Sequence, residues 1–251
     1  MKKTASYFGI ILVACMLSGA ISCACDVSTA SESTAPASDF TYIVYSDRVA
    51  ITGYLGHGGR VVIPEVIEGK TVTSLGDMAF HFCTSLTSVK IPSGVTYISD
   101  TAFYDCSNLS SIMVSTVNNT YKDIDGVLFY RDGTTLLYYP PGKQDTNYTI
   151  PDGVYVIDAM AFWSCRNLTH VIVHDGVLNI GSNAFAYCTN LTSIIVPSSV
   201  TSIGFRAFVH SCGEAEIGIG IECKYSVSVT CPRGSYAQQY CIENGIEHQL
   251  T

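Results

Sequence analysis

Apolar positions recur along this chain with a step of 23 residues. The segment Val72-Thr-Ser-Leu75-Gly-Asp-Met-Ala79-Phe80-His-Phe-Cys83-Thr-Ser-Leu86-Thr-Ser-Val89-Lys-Ile91-Pro92 returns from Val95, Val154 and Val177 and, in degraded form, from Val200. The Ala-Phe pairs 79/80, 102/103, 161/162, 184/185 and 207/208 keep the same step, as do Cys83 to Cys106 and Cys165 to Cys188. The interval from Val95 to Val154 is 59 residues, so one coil carries 13 more than the period. A repeat this short buries its apolar face only against its neighbours, which predicts a solenoid.

Within a unit, Val89 and Ile91 point inward while Ser88, Lys90 and Pro92 point outward, because strand side chains alternate. Equivalent strands end at Pro64, Pro92, Ser115, Pro151, His174 and Pro197 and stack into a parallel sheet. The opposite wall carries Val72/Leu75, Val95/Ile98, Val154/Ile157, Val177/Ile180 and Val200/Ile203, followed by a turn and the Ala-Phe pair, whose rings form an apolar spine. In the long coil, Asp132-Gly133 between two β-type runs predicts an inserted hairpin within residues 120–148, with strands near 127–130 and 135–139. Residues 40–71 are expected to cap the N-terminal end, with a hairpin turned at Gly56-His57-Gly58-Gly59. Residues 212–251 cap the other end with a short helix from Ser235 to Asn244, stopped by Gly245, after the repeats of 72–211.

The pattern LxxVxIPxxVxxIGxxAFxxCxxL resembles the BspA-like leucine-rich repeat family of bacterial surface proteins, and both ends of the chain from about residue 40 resemble that family's ends. The resemblance implies a right-handed, mainly β solenoid with a parallel concave sheet and short convex turns. It also implies a binding role, since some members are described as adhesins for host matrix proteins or other bacteria.

The N-terminus reads differently. Lys2 and Lys3 precede an uncharged stretch to Ala24 with an apolar centre, the form of an export signal. Small residues before Cys23 fit a lipoprotein processing site over residues 1–23, with Cys15 as runner-up and a plain secretory signal or an uncleaved anchor as the alternatives. Residues 24–39, containing DVSTASESTAPASD, have almost no large apolar side chains and read as a flexible tether. The expected location is therefore the cell surface, lipid-anchored or else secreted.

Composition narrows the function. The 251 residues carry 13 basic and 21 acidic side chains, net −8, which repels nucleic-acid backbones. No nucleophile elbow, metal knuckle or phosphate loop appears, and His170 and His174 lie about 13 Å apart along a strand. No catalysis, cofactor or metal is expected. Cys83, Cys106, Cys165 and Cys188 form one internal column and read as buried thiols, whereas Cys212, Cys223, Cys231 and Cys241 leave disulfides, a metal site and free thiols all open.

Two candidate binding surfaces follow. On the concave sheet, the outward column Val62, Lys90, Met113, Thr149, Ile172 and Ile195 is flanked by Arg60, Ser88, Ser111, Asn147, His170 and Ser193, an apolar strip with polar borders. The other reading is that β-branched residues suit strands on either face. On the hairpin, Phe129, Tyr130, Tyr138 and Tyr139 form an aromatic surface unless half of them turn inward. The expected partner is an extracellular protein or glycan bound by a monomer, and the other expectation is a structural spacer with no ligand.

Overall fold

The computed structural model describes residues 33–212 and 223–251. The expected signal, both candidate lipid-attachment cysteines, Cys15 and Cys23, and the stretch 216–222 lie outside the described residues.

The 23-residue period builds stacked coils. On one wall, Gly59–Val62, Leu86–Ile91 and Ser111–Val114 pair in parallel, and further along Asn147–Thr149, His170–Ile172, Ser193–Ile195, Ser228–Cys231 and His248–Leu250 form a second parallel sheet. The opposite wall stacks Lys70–Leu75 on Tyr97–Ile98, and, beyond the insertion, Thr135–Tyr138, Val156–Ile157, Asn179–Ile180 and Ser202–Ile203. Between the walls, each convex turn directs its Ala-Phe pair inward. In three coils the Phe amide donates to the carbonyl of the next coil's Ala at 2.7 Å: Phe80 to Ala102, Phe162 to Ala184 and Phe185 to Ala207. The rings stack at 4.7 to 5.8 Å, as in Phe80–Phe103, Phe162–Phe185 and Phe185–Phe208.

The insertion is three-stranded. Val127–Tyr130 and Thr135–Tyr138 form the expected hairpin around Gly133, and Tyr121–Ile124 adds an antiparallel strand on its other side. Strand alternation sends Val127 and Phe129 into the C-terminal core and Leu128 into the N-terminal one. The hairpin is thus a partition with apolar residues on both faces. At its end, Tyr138 lies on Phe103 (5.7 Å) and Tyr139 on Phe162 (5.1 Å), so adjacent residues carry the spine from one core to the other. Tyr139 takes the place of a repeat Phe, its amide donating to the Ala161 carbonyl at 2.7 Å.

The N-terminal cap is a hairpin, but its turn lies elsewhere than expected. Phe40–Val44 pairs antiparallel with Arg48–Tyr54 across Tyr45-Ser46-Asp47, and Arg48–Tyr54 then extends the wall alongside Lys70–Leu75. Gly56–Gly59 instead leads into the first concave strand. Gly58 has φ +82°, and a Cβ there would approach the Ser85 backbone to 2.6 Å. Ala35 donates its amide to the Val62 carbonyl at 3.0 Å, so the chain lies against the first coil a few residues before Phe40. At the other end, the helix Tyr236–Asn244 has Ser235 accepting from the Gln238 amide and Gly245 at φ 65°. Its Tyr240 covers Phe208 and bonds both the Ala207 amide and the Gly204 carbonyl, closing the spine.

Candidate functional site

The outward column of the concave wall is in register. Val62 pairs with Lys90 and Lys90 with Met113 in the first sheet, while Thr149, Ile172 and Ile195 pair successively in the second. The flanking Ser88 and Ser111 pair in the same way, as do Asn147, His170 and Ser193. The six positions do not form one uninterrupted strip, however. The free edge of Ser111–Val114 turns to the insertion: Ile112 donates its amide to the Gly126 carbonyl at 2.9 Å and Val114 to the Asp123 carboxylate at 2.7 Å. Residues 123–126 therefore stand between Met113 and Thr149. Beyond Ile195 the column continues through Thr230 and Gln249, which the repeat pattern does not reveal because the C-terminal coils have lost it.

Exposure differs between the two segments. Ile172 and Ile195 expose 44% and 41% of their surface, side by side on adjacent strands, with Thr149 and His170 also open to solvent. Val62, Lys90, Met113, Ser88, Ser111 and Ser193 are half-buried. His170 is oriented by the Thr169 hydroxyl, 2.8 Å from its Nδ1. The Ile172–Ile195 pair is the exposed apolar centre of the face.

The expected aromatic surface on the hairpin is corrected by burial. Phe129, Tyr138 and Tyr139 are inside, and only Tyr130 is exposed, stacked on Tyr121 at 5.7 Å. The reason is that both faces of this strand pair are covered, one by each core, so alternation leaves no outward face. A different aromatic row lies along the outer edge of the spine: His81, Tyr104, Trp163 and Tyr187 contact one another in sequence at 5.5, 5.1 and 4.7 Å. Three of these residues directly follow an Ala-Phe pair, which is the signal that would have located them.

The cysteine column is a set of thiols donating to backbone. Cys106 bonds the Phe80 carbonyl at 2.9 Å, Cys165 that of Tyr139 at 3.5 Å and Cys188 that of Phe162 at 2.9 Å, each one coil back. These three are buried, as are Cys231 and Cys241, Cys83 is half-buried, and all six are free. Burial pushes the Cys106 and Cys241 thiols up to about 12. Among the described residues, no three His, Cys, Asp or Glu side chains gather as metal ligands.

Six copies of the BspA type leucine rich repeat region match residues 61–136 and 142–226. Among solved structures, a leucine-rich repeat protein from Eubacterium ventriosum is 33% identical with a TM-score of 0.52, covering 58% of this chain, which spans only 38% of that protein's length. The T. pallidum leucine rich repeat protein is 27% identical over 79% of this chain and 71% of that one, with a TM-score of 0.39. A leucine rich cell surface protein from Faecalibacterium prausnitzii is 18% identical over 70% of this chain and 95% of its own, with a TM-score of 0.37. No curated protein matches the chain. With the repeat profile matching well over half of its residues on a stacked-coil framework, the chain belongs to the BspA-type leucine-rich repeat family.

Proposed function

We propose that this protein is a non-enzymatic binding module displayed on the cell surface, holding an extracellular protein or glycan on its concave wall. The observation that carries this reading is the register-aligned, exposed Ile172–Ile195 pair bordered by His170, Ser193 and Thr149. An apolar centre with a polar rim, fixed on rigid strands, is the anatomy of a recognition surface. The half-buried Val62, Lys90 and Met113 form a separate patch across the insertion.

Ile172→Glu combined with Ile195→Glu is expected to abolish retention of host matrix proteins or glycans in a pull-down, with the thermal midpoint nearly unchanged. Met113→Glu weakens binding only if the ligand also reaches across Asp123–Gly126. A structural spacer, the other reading, retains nothing specifically in the same assay. Display rests on the N-terminal signal pattern, with Cys23 the proposed lipid-attachment residue ahead of Cys15. Mass spectrometry of the membrane-extracted protein should find acylated Cys23; a free N-terminus after residue 30 refutes the anchor.

A further inference from the structure

The insertion opens the outer wall at one place. Leu75 pairs with Ile98 in the parallel wall, but one coil later the chain presents Tyr121, whose hydroxyl, rather than a strand, meets the Ile98 amide at 3.1 Å. The wall stops there and restarts on the far side of the hairpin. The seam between the two parts is a cavity of about 150 Å³ lined by Tyr97, Tyr121, Tyr130, Tyr138, Asp100 and Asp158 above a floor that includes Ile98, Phe103 and Leu128. A cavity of about this size admits one benzene-sized group.

Its chemistry is one-sided. The lining contains two carboxylates and no Lys, Arg or His. Tyr121 and Tyr138 give their hydroxyls to the protein, bonding the Thr96 and Phe103 carbonyls at 3.3 and 2.9 Å, while Tyr97 and Tyr130 stand exposed. Asp158 occupies the repeat position held by Gly181 and Gly204 in the next two coils, where an added Cβ would lie 2.4 Å from the preceding coil's backbone. A side chain stands at this position in two coils, Ser99 and Asp158, and the Asp158 carboxylate lines the seam. Burial, reinforced by the charge of Asp100, raises the pKa of Asp158, as expected of a carboxylate that has no cation beside it.

We propose that this cavity receives the cationic end of a lysine or arginine side chain presented by a protein partner. Aromatic rings attract a cation, two carboxylates from different coils neutralise it, and a side chain lying along the seam sets its methylenes against the apolar floor. This surface is separate from the concave wall, so Ile172→Glu with Ile195→Glu leaves it intact.

The test is a titration of the isotopically labelled full chain with N-acetyl-lysine methylamide, followed by amide chemical shifts, beside its neutral counterpart N-acetyl-norleucine methylamide and methyl glucoside. The lysine derivative should shift the amides of Ile98, Ser99 and Asp158 saturably, and the two neutral probes should not. Asp100→Asn with Asp158→Asn should weaken binding about tenfold or more, the loss of a charge-assisted contact. Asn at 158 still offers an acceptor to the Ala159 amide, and Tyr97→Ala, at an exposed site, supplies a second variant that should also weaken binding. Equal binding of the norleucine derivative, preference for the glucoside, unchanged affinity in the variants, or no saturable shift each overturns the proposal.

Discussion

Asn118 stands one period beyond Val95, in the same place in its coil, and its side-chain amide donates to the Val95 and Pro92 carbonyls, both at 2.9 Å. Its own carbonyl accepts from the Thr120 and Tyr121 amides at 2.8 Å, and the residue is fully buried. A polar side chain in an apolar position here replaces the backbone ladder that the insertion interrupts. Restoring the repeat's own residue should therefore harm the protein. Asn118→Val leaves two amides and two carbonyls without these partners and is expected to destabilise by about 3 kcal/mol. A thermal or urea midpoint equal to that of the parent refutes this.

The partition between the cores sets a second expectation. Phe162→Ala should cost roughly 3 to 5 kcal/mol, and the damage should be uneven. Amide hydrogen exchange should accelerate in the coils of Val154 to Phe208 more than in those of Val49 to Val114, because Tyr138 and Leu128 face the other core. Tyr138→Phe, which loses only the hydroxyl bond to Phe103, should cost about 1 kcal/mol. Equal acceleration across both halves would mean that the septum does not separate them.

Asp158 gives a pH dependence with a definite sign. Its folded pKa lies above the ordinary carboxylate value, first because it is buried and then because Asp100 is nearby, so ionisation favours the unfolded chain. At neutral pH the charged carboxylate opposes folding, and this penalty disappears once acid protonates both states. Asp158→Asn should raise the thermal midpoint near neutrality and leave it unchanged near about pH 3, below the usual carboxylate range. The groups facing it are Asp100 and the tyrosines 97, 121, 130 and 138, none of which carries positive charge.

The buried thiols make a chemical prediction. Cys106 and Cys241 are held near 12 by burial, whereas an unfolded thiol ionises near about 8.5. Between those values the unfolded chain releases protons that the fold retains, so stability falls as pH rises through the alkaline range. At about pH 8, alkylation mapped by peptide mass spectrometry should modify Cys83 well before Cys106, Cys165, Cys188, Cys231 or Cys241, since of these six only Cys83 is partly open to the reagent. Comparable labelling of Cys106 and Cys83 would contradict the buried hydrogen-bonded column.

Much of this architecture is readable from residue order. The positions of Val72, Leu75, Phe80, Leu86 and Val89 recur without change of spacing, and a period that constant has few structural solutions. The cap helix is equally explicit, since Ser235 and Gly245 mark its ends by their own backbone preferences. What stayed hidden depends on neighbours in space. Nothing local distinguishes Phe129 with one core on each side of its strand from Phe129 on an open hairpin. The outward positions pair in register strand by strand, as the repeat spacing implies, yet the break between Met113 and Thr149 arises from the Ile112–Gly126 bond, which joins segments of unrelated pattern. The convex turns are also opaque, because Met78, Phe82, Asp105, Met160, Ser164 and Tyr187 adopt positive φ without glycine to announce it.

The amide-to-carbonyl bonds from Phe80, Tyr139, Phe162 and Phe185 to the next Ala run from coil to coil and join successive turns along the stack. Under tension applied between the two ends, such bonds are loaded one turn at a time rather than together, so the protein yields by peeling at modest force instead of rupturing at once. The paired tyrosines of the septum divide this into two stages, so the coils on one side can unravel while those on the other stay wound. A domain exposed to flow would then lengthen under load and rewind when released.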